Sequence, residues 1–488
     1  MSLQASLSDL LEGFAPVPRD CAIAGIQCRS AAIRPGDLFA ACRGTRRHGL
    51  EGLPEALGKG AAAVIYEPDP NQAQPRTDVP CVAVPDLSRS LSAIAGRFYR
   101  DPSARLPVIG ITGTDGKTST SHLIAQILGA LEQSCGVIGT LGAGRLSALH
   151  ETGHTTPDAV RLQEELFDMA QRGDTVAVLE VSSHALDQHR CDAVHFETAV
   201  FTTLGRDHLD YHQTPERYAA AKRRLFTELK PERAVINIDD PFGHELAEQM
   251  ESKAQVHTCA MDASAESTAR VTGLTAEGLS FEWTAGGETH AVQVPGLYGR
   301  FNVMNLLLSA TAVQARGVPM EKVAVAMEGL SPVPGRLERV AQAPGPVFID
   351  YAHTPDALEA ALGALREHFG ADIHCVFGCG GDRDRGKRPR MGEVAQRLAV
   401  RVTLTDDNPR SEAPERIVED ILKGIPKSAP VAVQHDRAEA IRQAVREAAP
   451  GEVVLIAGKG HESEQIAAGK TRPFSDHAAV HAALEADA

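Results

Sequence analysis

The segment Gly110-Ile-Thr-Gly-Thr-Asp-Gly-Lys-Thr-Ser119 constrains the chain more than any other, because it follows the apolar run Leu106 to Ile111 and opens a stretch that reads as helix from Lys117 to Leu131. Strand, glycine loop and helix in that order let successive backbone N–H groups turn inward on a phosphate chain at a helix N-terminus. Lys117 adds a point charge and Thr118 a hydroxyl suited to Mg²⁺. The general nucleotide-loop pattern wants a glycine five residues before Gly116, where this chain has Ile111, so the match comes from context as much as from spelling. Gly113, Thr114, Asp115, Gly116, Lys117, Thr118 and Ser119 are therefore the candidate ATP-binding loop.

What surrounds this loop is an alternation. Val176 to Val181, Thr198 to Thr203 and Ala234 to Ile238 are β-rich runs separated by polar or helical stretches, the rhythm of a mostly parallel sheet whose ligands sit beyond the carboxyl ends of its strands. A second alternating unit starts after Pro332-Val-Pro-Gly-Arg336, with strands expected at Val347 to Asp350, Ile373 to Phe377, Val400 to Leu404, Val431 to Val433 and Val453 to Ala457. No Gly-x-Gly-x-x-Gly opens that unit, which argues against a nicotinamide cofactor. Ahead of the loop, Ala62 to Tyr66 and Cys81 to Val84 suggest a small α/β unit, followed by a linking helix from Leu87 to Tyr99. Thr258 to Val294 reads as an antiparallel excursion. The chain thus divides into α/β domains over 1–86, 87–336 and 337–488, in keeping with a length of 488 residues, more than one hydrophobic core usually supports.

A net charge of −15 repels a nucleic-acid backbone, so nucleic acid is not expected as a partner. No signal-peptide pattern or long apolar run occurs, so a cytoplasmic protein without membrane insertion is expected. The nine cysteines are scattered with no Cys-x-x-Cys, which speaks against a disulfide framework or structural zinc, and Cys375 and Cys379 read as small buried residues.

Thr112-Gly-Thr-Asp-Gly-Lys-Thr118 resembles the ATP loop of the Mur ligases and folylpolyglutamate synthetases, with Asp115 where asparagine is more usual. The resemblance continues through Glu180-Val-Ser-Ser-His184, Arg206-Asp-His-Leu-Asp-Tyr-His212 and Tyr218-Ala-Ala-Ala-Lys222, in family order, and it spans roughly residues 25 to 475. It implies a central P-loop-type, mostly parallel sheet ATPase domain, a Rossmann-like C-terminal domain and a small N-terminal α/β domain that binds a UDP-sugar. By the same resemblance Lys117, Glu180, His208 and Lys222 are catalytic; Thr118, Glu180, His208 and Lys222, the last as a carbamate (N6-carboxylysine), hold Mg²⁺. Read without the family, Lys222 followed by Arg223 and Arg224 is simply the solvated basic face of a helix. Asn302, Arg336, Asp350 and His353 are implied as further ATP contacts, although an Asn near a helix entrance also serves as a cap.

Arg29-Ser-Ala-Ala-Ile-Arg34 and Gly44-Thr-Arg-Arg-His-Gly49 resemble the front uridine module, with Gln27-Cys28-Arg29 where the family has Asp-Ser-Arg. Cys28, Ser30, His48, Thr155, Thr156, Ser182, Gln188 and Arg190 are the implied contacts to a UDP-peptide substrate; a turn, an edge strand and ordinary polar loops are the plain alternatives. Asp406-Asp-Asn-Pro-Arg410 and Gly458-Lys-Gly-His-Glu462 resemble the loops of the diaminopimelate-adding branch, which implies Arg383, Asp407, Asn408, Arg410, Gly458 and Glu462 as the amino-acid site. The expected activity is an ATP- and Mg²⁺-dependent ligation of meso-diaminopimelate to UDP-N-acetylmuramoyl-L-alanyl-D-glutamate by a monomer. Other ligases of the superfamily, adding lysine, closing the peptide or extending folate, and a non-catalytic nucleotide-binding protein are the alternatives.

Overall fold

The computed structural model describes residues 3–44, 47–69, 74–250, 254–341 and 345–485; Thr45 and Arg46 of the second uridine-module motif lie outside them. Two short strands, β1 (Ala5–Ser6) and β2 (Ala22–Ile23), pair antiparallel. Beside them β3 (Gly25–Gln27), β4 (Asp37–Ala41), β5 (Ala63–Tyr66) and β6 (Cys81–Ala83) form a parallel sheet in that order. The linking helix, Leu87–Phe98, turns Leu87, Leu91, Ile94, Ala95 and Phe98 into the core beneath this sheet, together with Leu7, Leu10, Ile26 and Ile65. That helix, at the head of the second domain in the sequence reading, shares its apolar stripe between the first sheet and Ala159 and Val160 of the helix Ala159–Gln171.

The central sheet is built from β7 (Val108–Thr112), β8 (Cys135–Gly139), β9 (Gly142–Arg145), β10 (Ala148–His150), β11 (Val176–Glu180), β12 (Phe196–Phe201), β13 (Arg233–Asn237), β14 (Gln255–Ala260), β15 (Ser267–Thr275), β16 (Gly278–Ala285) and β17 (Glu288–Pro295). Their order is β10-β9-β8-β11-β7-β12-β13-β14-β15-β16-β17. The middle of that order, from β8 to β15, is parallel; the β8–β9–β10 pairs at one edge and the β15–β16–β17 pairs at the other are antiparallel. β7 is buried along its whole length, as an unbroken apolar run in a sheet covered on both faces should be. Over one face lie the helices Lys117–Ala130 and Arg300–Gln314, each buried on nearly every side, where Thr120 Oγ1 donates to Asn305 Oδ1 at 3.4 Å.

The third sheet has β18 (Glu338–Ala341), β19 (Val347–Asp350), β20 (Ile373–Phe377), β21 (Arg401–Leu404), β22 (Val431–Val433) and β23 (Val453–Ala457) in the order β18-β19-β23-β20-β21-β22, all parallel except β18. A hairpin, β24 (Glu464–Ala467) with β25 (Lys470–Pro473), follows. Tyr298, from the central unit, is wholly buried among residues of this third core, edge-on to Phe348 at 5.0 Å. Next to it His368 accepts from the Gly299 N–H at Nε2 (2.8 Å) and so donates from Nδ1 to the Thr275 carbonyl (2.7 Å). The second and third units therefore meet at a packed, hydrogen-bonded seam.

Candidate active site

The loop between β7 and the helix Lys117–Ala130 owes its shape to contacts a side chain would destroy. Gly113 has φ 153° and a Cβ there would come within 1.8 Å of Thr202 Oγ1; Gly116 has φ 83° and sits against Asn305. Thr202 Oγ1 donates to the Asp115 carbonyl at 2.6 Å, and the Asp115 side chain is exposed with no hydrogen bond among the described residues. Lys117 curls over the loop, Nζ donating to the Gly113 and Thr114 carbonyls at 2.9 and 2.8 Å. Burial lowers its pKa, and the charges of Glu180 and Asp115 oppose that shift.

Glu180 closes β11 and is wholly buried. Its carboxylate accepts from Thr118 Oγ1, Thr140 N and Thr140 Oγ1, all at 3.0 Å. Thr118 Oγ1 in turn accepts from Arg336 Nη2 at 3.1 Å, and Arg336 lies 4.6 Å over the Tyr351 ring. A carboxylate and a hydroxyl in contact at a nucleotide loop are hard oxygen donors of the kind Mg²⁺ takes, and this ion normally keeps waters and substrate phosphates as its other ligands. Among the described residues no group of three or more His, Cys, Asp and Glu is placed to hold a metal by itself.

Lys222 corrects the plain sequence reading. It is 1% exposed, donates to the Gly113 carbonyl, and lies 4.5 Å over the Tyr218 ring, while Arg223 and Arg224 beside it are half-buried and pair with Glu245 and Asp192. Burial, reinforced by the charge of Lys117, pushes its ammonium well below the ordinary lysine pKa. His208 stands on the loop after β12 with φ 52° and packs edge-on against His184 at 4.6 Å. Burial lowers its pKa to about 4, against the pull of Asp207.

Behind Glu180, Thr156 Oγ1 donates to the Glu180 carbonyl at 2.7 Å and accepts from Ser182 N at 3.0 Å. Arg190 donates to the Thr156 carbonyl (2.7 Å) and to Gln188 Oε1 (2.6 Å), and Thr155 meets Thr140 at 3.1 Å. Thr155, Thr156, Ser182, Gln188 and Arg190 are thus one connected group, with Ser182 also capping the helix Ser183–Asp187. Ser30 and His48 form a separate group, bonded to Glu55 (2.6 Å) and to the Glu67 carbonyl (2.9 Å), and burial raises the Cys28 thiol beside them.

Between the central and third sheets lies a cavity of about 460 Å³. One wall is His184 and Arg206 to Asp210; the other is built from the loops after β19, β20, β21 and β23. It gathers His208, His353, Arg383, Asp407, Asn408, Arg410, Gly458 and Glu462 from the sequence-predicted set, and adds Lys387, whose Nζ donates to the His353 carbonyl at 2.8 Å. Asp350 stays behind this wall, its carboxylate accepting from Leu337 N (2.6 Å) and Ala352 N (2.7 Å), and burial raises its pKa to about 6. Asn302 instead lines a narrow slot with Ser119, Tyr298 and Arg336, and donates to the Tyr298 carbonyl at 2.8 Å.

Arg410 takes φ 54° and donates from Nη1 to the carbonyls of Gly381 (2.9 Å) and Asn408 (3.4 Å). Asn408 braces two loops: Nδ2 donates to Glu462 Oε2 at 2.8 Å, and Oδ1 accepts from Ile466 N at 2.9 Å. Thr140, Tyr351, Lys387 and Lys459 were missed by sequence reasoning. Lys387 and the lysine of Gly458-Lys-Gly-His-Glu462 carried a signal, their place inside polar loops directly after strands, and Tyr351 stood within the Asp350 to Asp356 segment.

Three stretches match family descriptions: residues 22–99 the Mur ligase family catalytic domain, 111–313 the Mur ligase middle domain, and 335–460 the Mur ligase glutamate ligase domain. A UDP-N-acetylmuramoyl-L-alanyl-D-glutamate–2,6-diaminopimelate ligase of Alkalilimnicola ehrlichii is 47% identical over 481 residues, 95% of each chain. The chain belongs to the Mur ligase family. The Pseudomonas aeruginosa ligase of the same description is 44% identical and covers 97% of both chains. A solved structure described in the same words shares 35% identity with a TM-score of 0.70 over 99% of each chain. MurF from Acinetobacter baumannii, at 20% identity and TM-score 0.68 over 92% of this chain and 94% of its own, shares the Mur ligase fold. The three-sheet α/β architecture is that of the family, and with it comes ATP-dependent ligation.

Proposed function

We propose that this chain joins meso-diaminopimelate to UDP-N-acetylmuramoyl-L-alanyl-D-glutamate at the expense of ATP, in the cytoplasmic synthesis of a peptidoglycan precursor. The observation that carries the reading is the cavity itself, in which the polar loops of the ATP-side sheet face Arg383, Arg410 and Glu462 across one shared space. Support for the particular amine and acceptor comes from the descriptions of relatives that align over nearly the whole chain.

The chemistry follows from charge. A carboxylate resists an amine because its carbon is electron-rich and oxide is a poor leaving group. Transfer of the ATP γ-phosphoryl group to the substrate carboxylate makes an acyl phosphate and releases ADP. The amine then attacks, a tetrahedral intermediate forms, the amine loses its proton, and phosphate departs. Lys117 and the backbone N–H groups of the loop stabilise the transferred phosphoryl group. Mg²⁺, when bound, neutralises phosphate charge, and Glu180 and Thr118, with His208 and carbamylated Lys222, would hold it. The depressed pKa of Lys222 supports that modification, because a neutral amine adds CO₂, losing one proton, whereas an ammonium has no lone pair to do so. Arg190 and the Thr155–Thr156 segment orient the peptide carboxylate; Arg336, Asp350 and Asn302 hold the nucleoside; Ser30 and His48 face the uridine end. Both walls of the cavity come from one chain, so a monomer suffices.

The test is phosphate release from ATP. Release should require the UDP-dipeptide and diaminopimelate together, with lysine a poor substitute. Slow ATP turnover indifferent to any amino acid would mark a nucleotide-binding protein instead.

A further inference from the structure

Lys459 is completely buried, directly behind the two loops that form the amino-acid wall. Its ammonium donates to Glu462 Oε2 at 2.7 Å and to Asn408 Oδ1 at 3.2 Å. Glu462 Oε2 also accepts from Asn408 Nδ2 at 2.8 Å, and the Glu462 N–H donates to the Lys459 carbonyl at 3.0 Å. One carboxylate oxygen is thereby fixed from behind, and Oε1 has no hydrogen-bond partner among the described residues on a side chain that lines the cavity. A buried lysine ammonium is costly to hold unless it is paired. Here the pair ties the loop after β23 to the loop after β21.

We propose that Lys459 is a positioning residue that sets amine specificity, by holding Glu462 and balancing its charge; this rests on the reading of the cavity as the diaminopimelate site. The loops Asp407–Arg410 and Gly458–Glu462 carry two anions, Asp407 and Glu462, and two cations, Arg410 and Lys459. Such a balanced set receives a zwitterionic end, one ammonium and one carboxylate, without surplus charge. Lysine brings an ammonium alone, and Lys459 already satisfies part of what that ammonium would seek. Removal of the Lys459 charge leaves a surplus anion at Glu462, which favours a purely cationic end over a zwitterionic one.

The experiment measures kcat/KM for diaminopimelate and for lysine with the full-length enzyme and with Lys459→Met, Lys459→Gln and Lys459→Arg. The diaminopimelate-to-lysine ratio should fall at least tenfold in both neutral variants, with KM for ATP unchanged, and Lys459→Arg should restore most of it. Gln keeps a donor to Glu462 without the charge, so it reads the same point if the Met variant does not fold. Neutral variants that keep the unaltered enzyme's ratio, losing both amines in proportion, would overturn the inference alone. An unaltered enzyme that uses both amines equally would overturn the amine assignment and this inference together.

Discussion

Arg410 presents the cavity with a guanidinium steadied by two carbonyls, and the distal carboxylate of diaminopimelate is the group that such a fork fits. Lysine lacks that carboxylate and would leave the half-buried fork without an anion, a penalty of about 1.5–3 kcal/mol, or roughly ten- to a hundredfold in discrimination. Arg410→Ala should therefore depress the rate with diaminopimelate far more than any residual rate with lysine; equal losses for the two amines count against the assignment. Lys222 supplies a second prediction at this scale. Lys222→Ala should lose most ligase activity and regain part of it with a short-chain carboxylate such as formate or acetate, which restores the missing oxygen ligand without restoring a side chain. An unimpaired mutant, or one deaf to added carboxylate, ends the carbamate proposal.

The helix Lys387–Leu398 shows how elements hold the amino-acid wall in place. Arg388 in its first turn is fully buried and pairs with Glu412 at 2.8 Å and Asp420 at 3.1 Å, clamping the loops that carry Arg383 and Arg410. Arg388→Ala should cost about 1.5–3 kcal/mol, because it removes charge-assisted hydrogen bonds while Glu412 keeps Arg385 and Asp420 keeps Lys423, and a denaturant titration would read it. The hydrogen bonds from Arg388 hold the Glu412 pKa at about 2, below the ordinary value of 4.5. A carboxylate depressed by folding contributes stability above its unfolded pKa and loses it as pH falls through the folded one. That contribution should be intact above pH 5, fade between about pH 4.5 and 2, and shrink in Arg388→Ala, where Asp382 N–H and Arg385 remain; matching acid profiles for the two proteins would contradict it. The glycine loop and the strand rhythm were legible because each is local: β7 and its helix declare themselves between Val108 and Ala130. The burial of Lys222 was not, since it depends on the helix Pro215–Thr227 packing against a loop a hundred positions away. Lys459 showed only its place in a polar loop; its bond to Asn408, on a loop 51 positions away, was hidden for the same reason. The likeness to a known family supplied Lys222; neither likeness nor local pattern supplied Lys459 or Thr140.

At the scale of the whole molecule, the seam around Tyr298 and His368 ties the second unit to the third. His368 must be neutral to accept from Gly299 N–H while donating to Thr275, and burial lowers its pKa accordingly. A histidine depressed by folding contributes stability above its unfolded pKa near 6.5 that is lost as pH falls through the folded value, so acid should weaken the seam. His368→Ala should split one calorimetric unfolding transition into two; a single unchanged transition would show that the units are coupled elsewhere. Scattering profiles with an ATP analogue and the UDP-dipeptide should differ from those of the free protein if the cavity narrows for reaction, and identical profiles speak for a fixed arrangement. The two-sided cavity also bears on inhibition. A compound that links a phosphate mimic for the glycine loop to a zwitterionic head for the Arg410 loop would make its second contact as a tethered one, at an effective concentration in the millimolar range for a short linker. Its gain over the separate pieces would depend on linker length far more than on either head, so a series differing only in the spacer would measure the distance between the glycine loop and the Arg410 loop in solution.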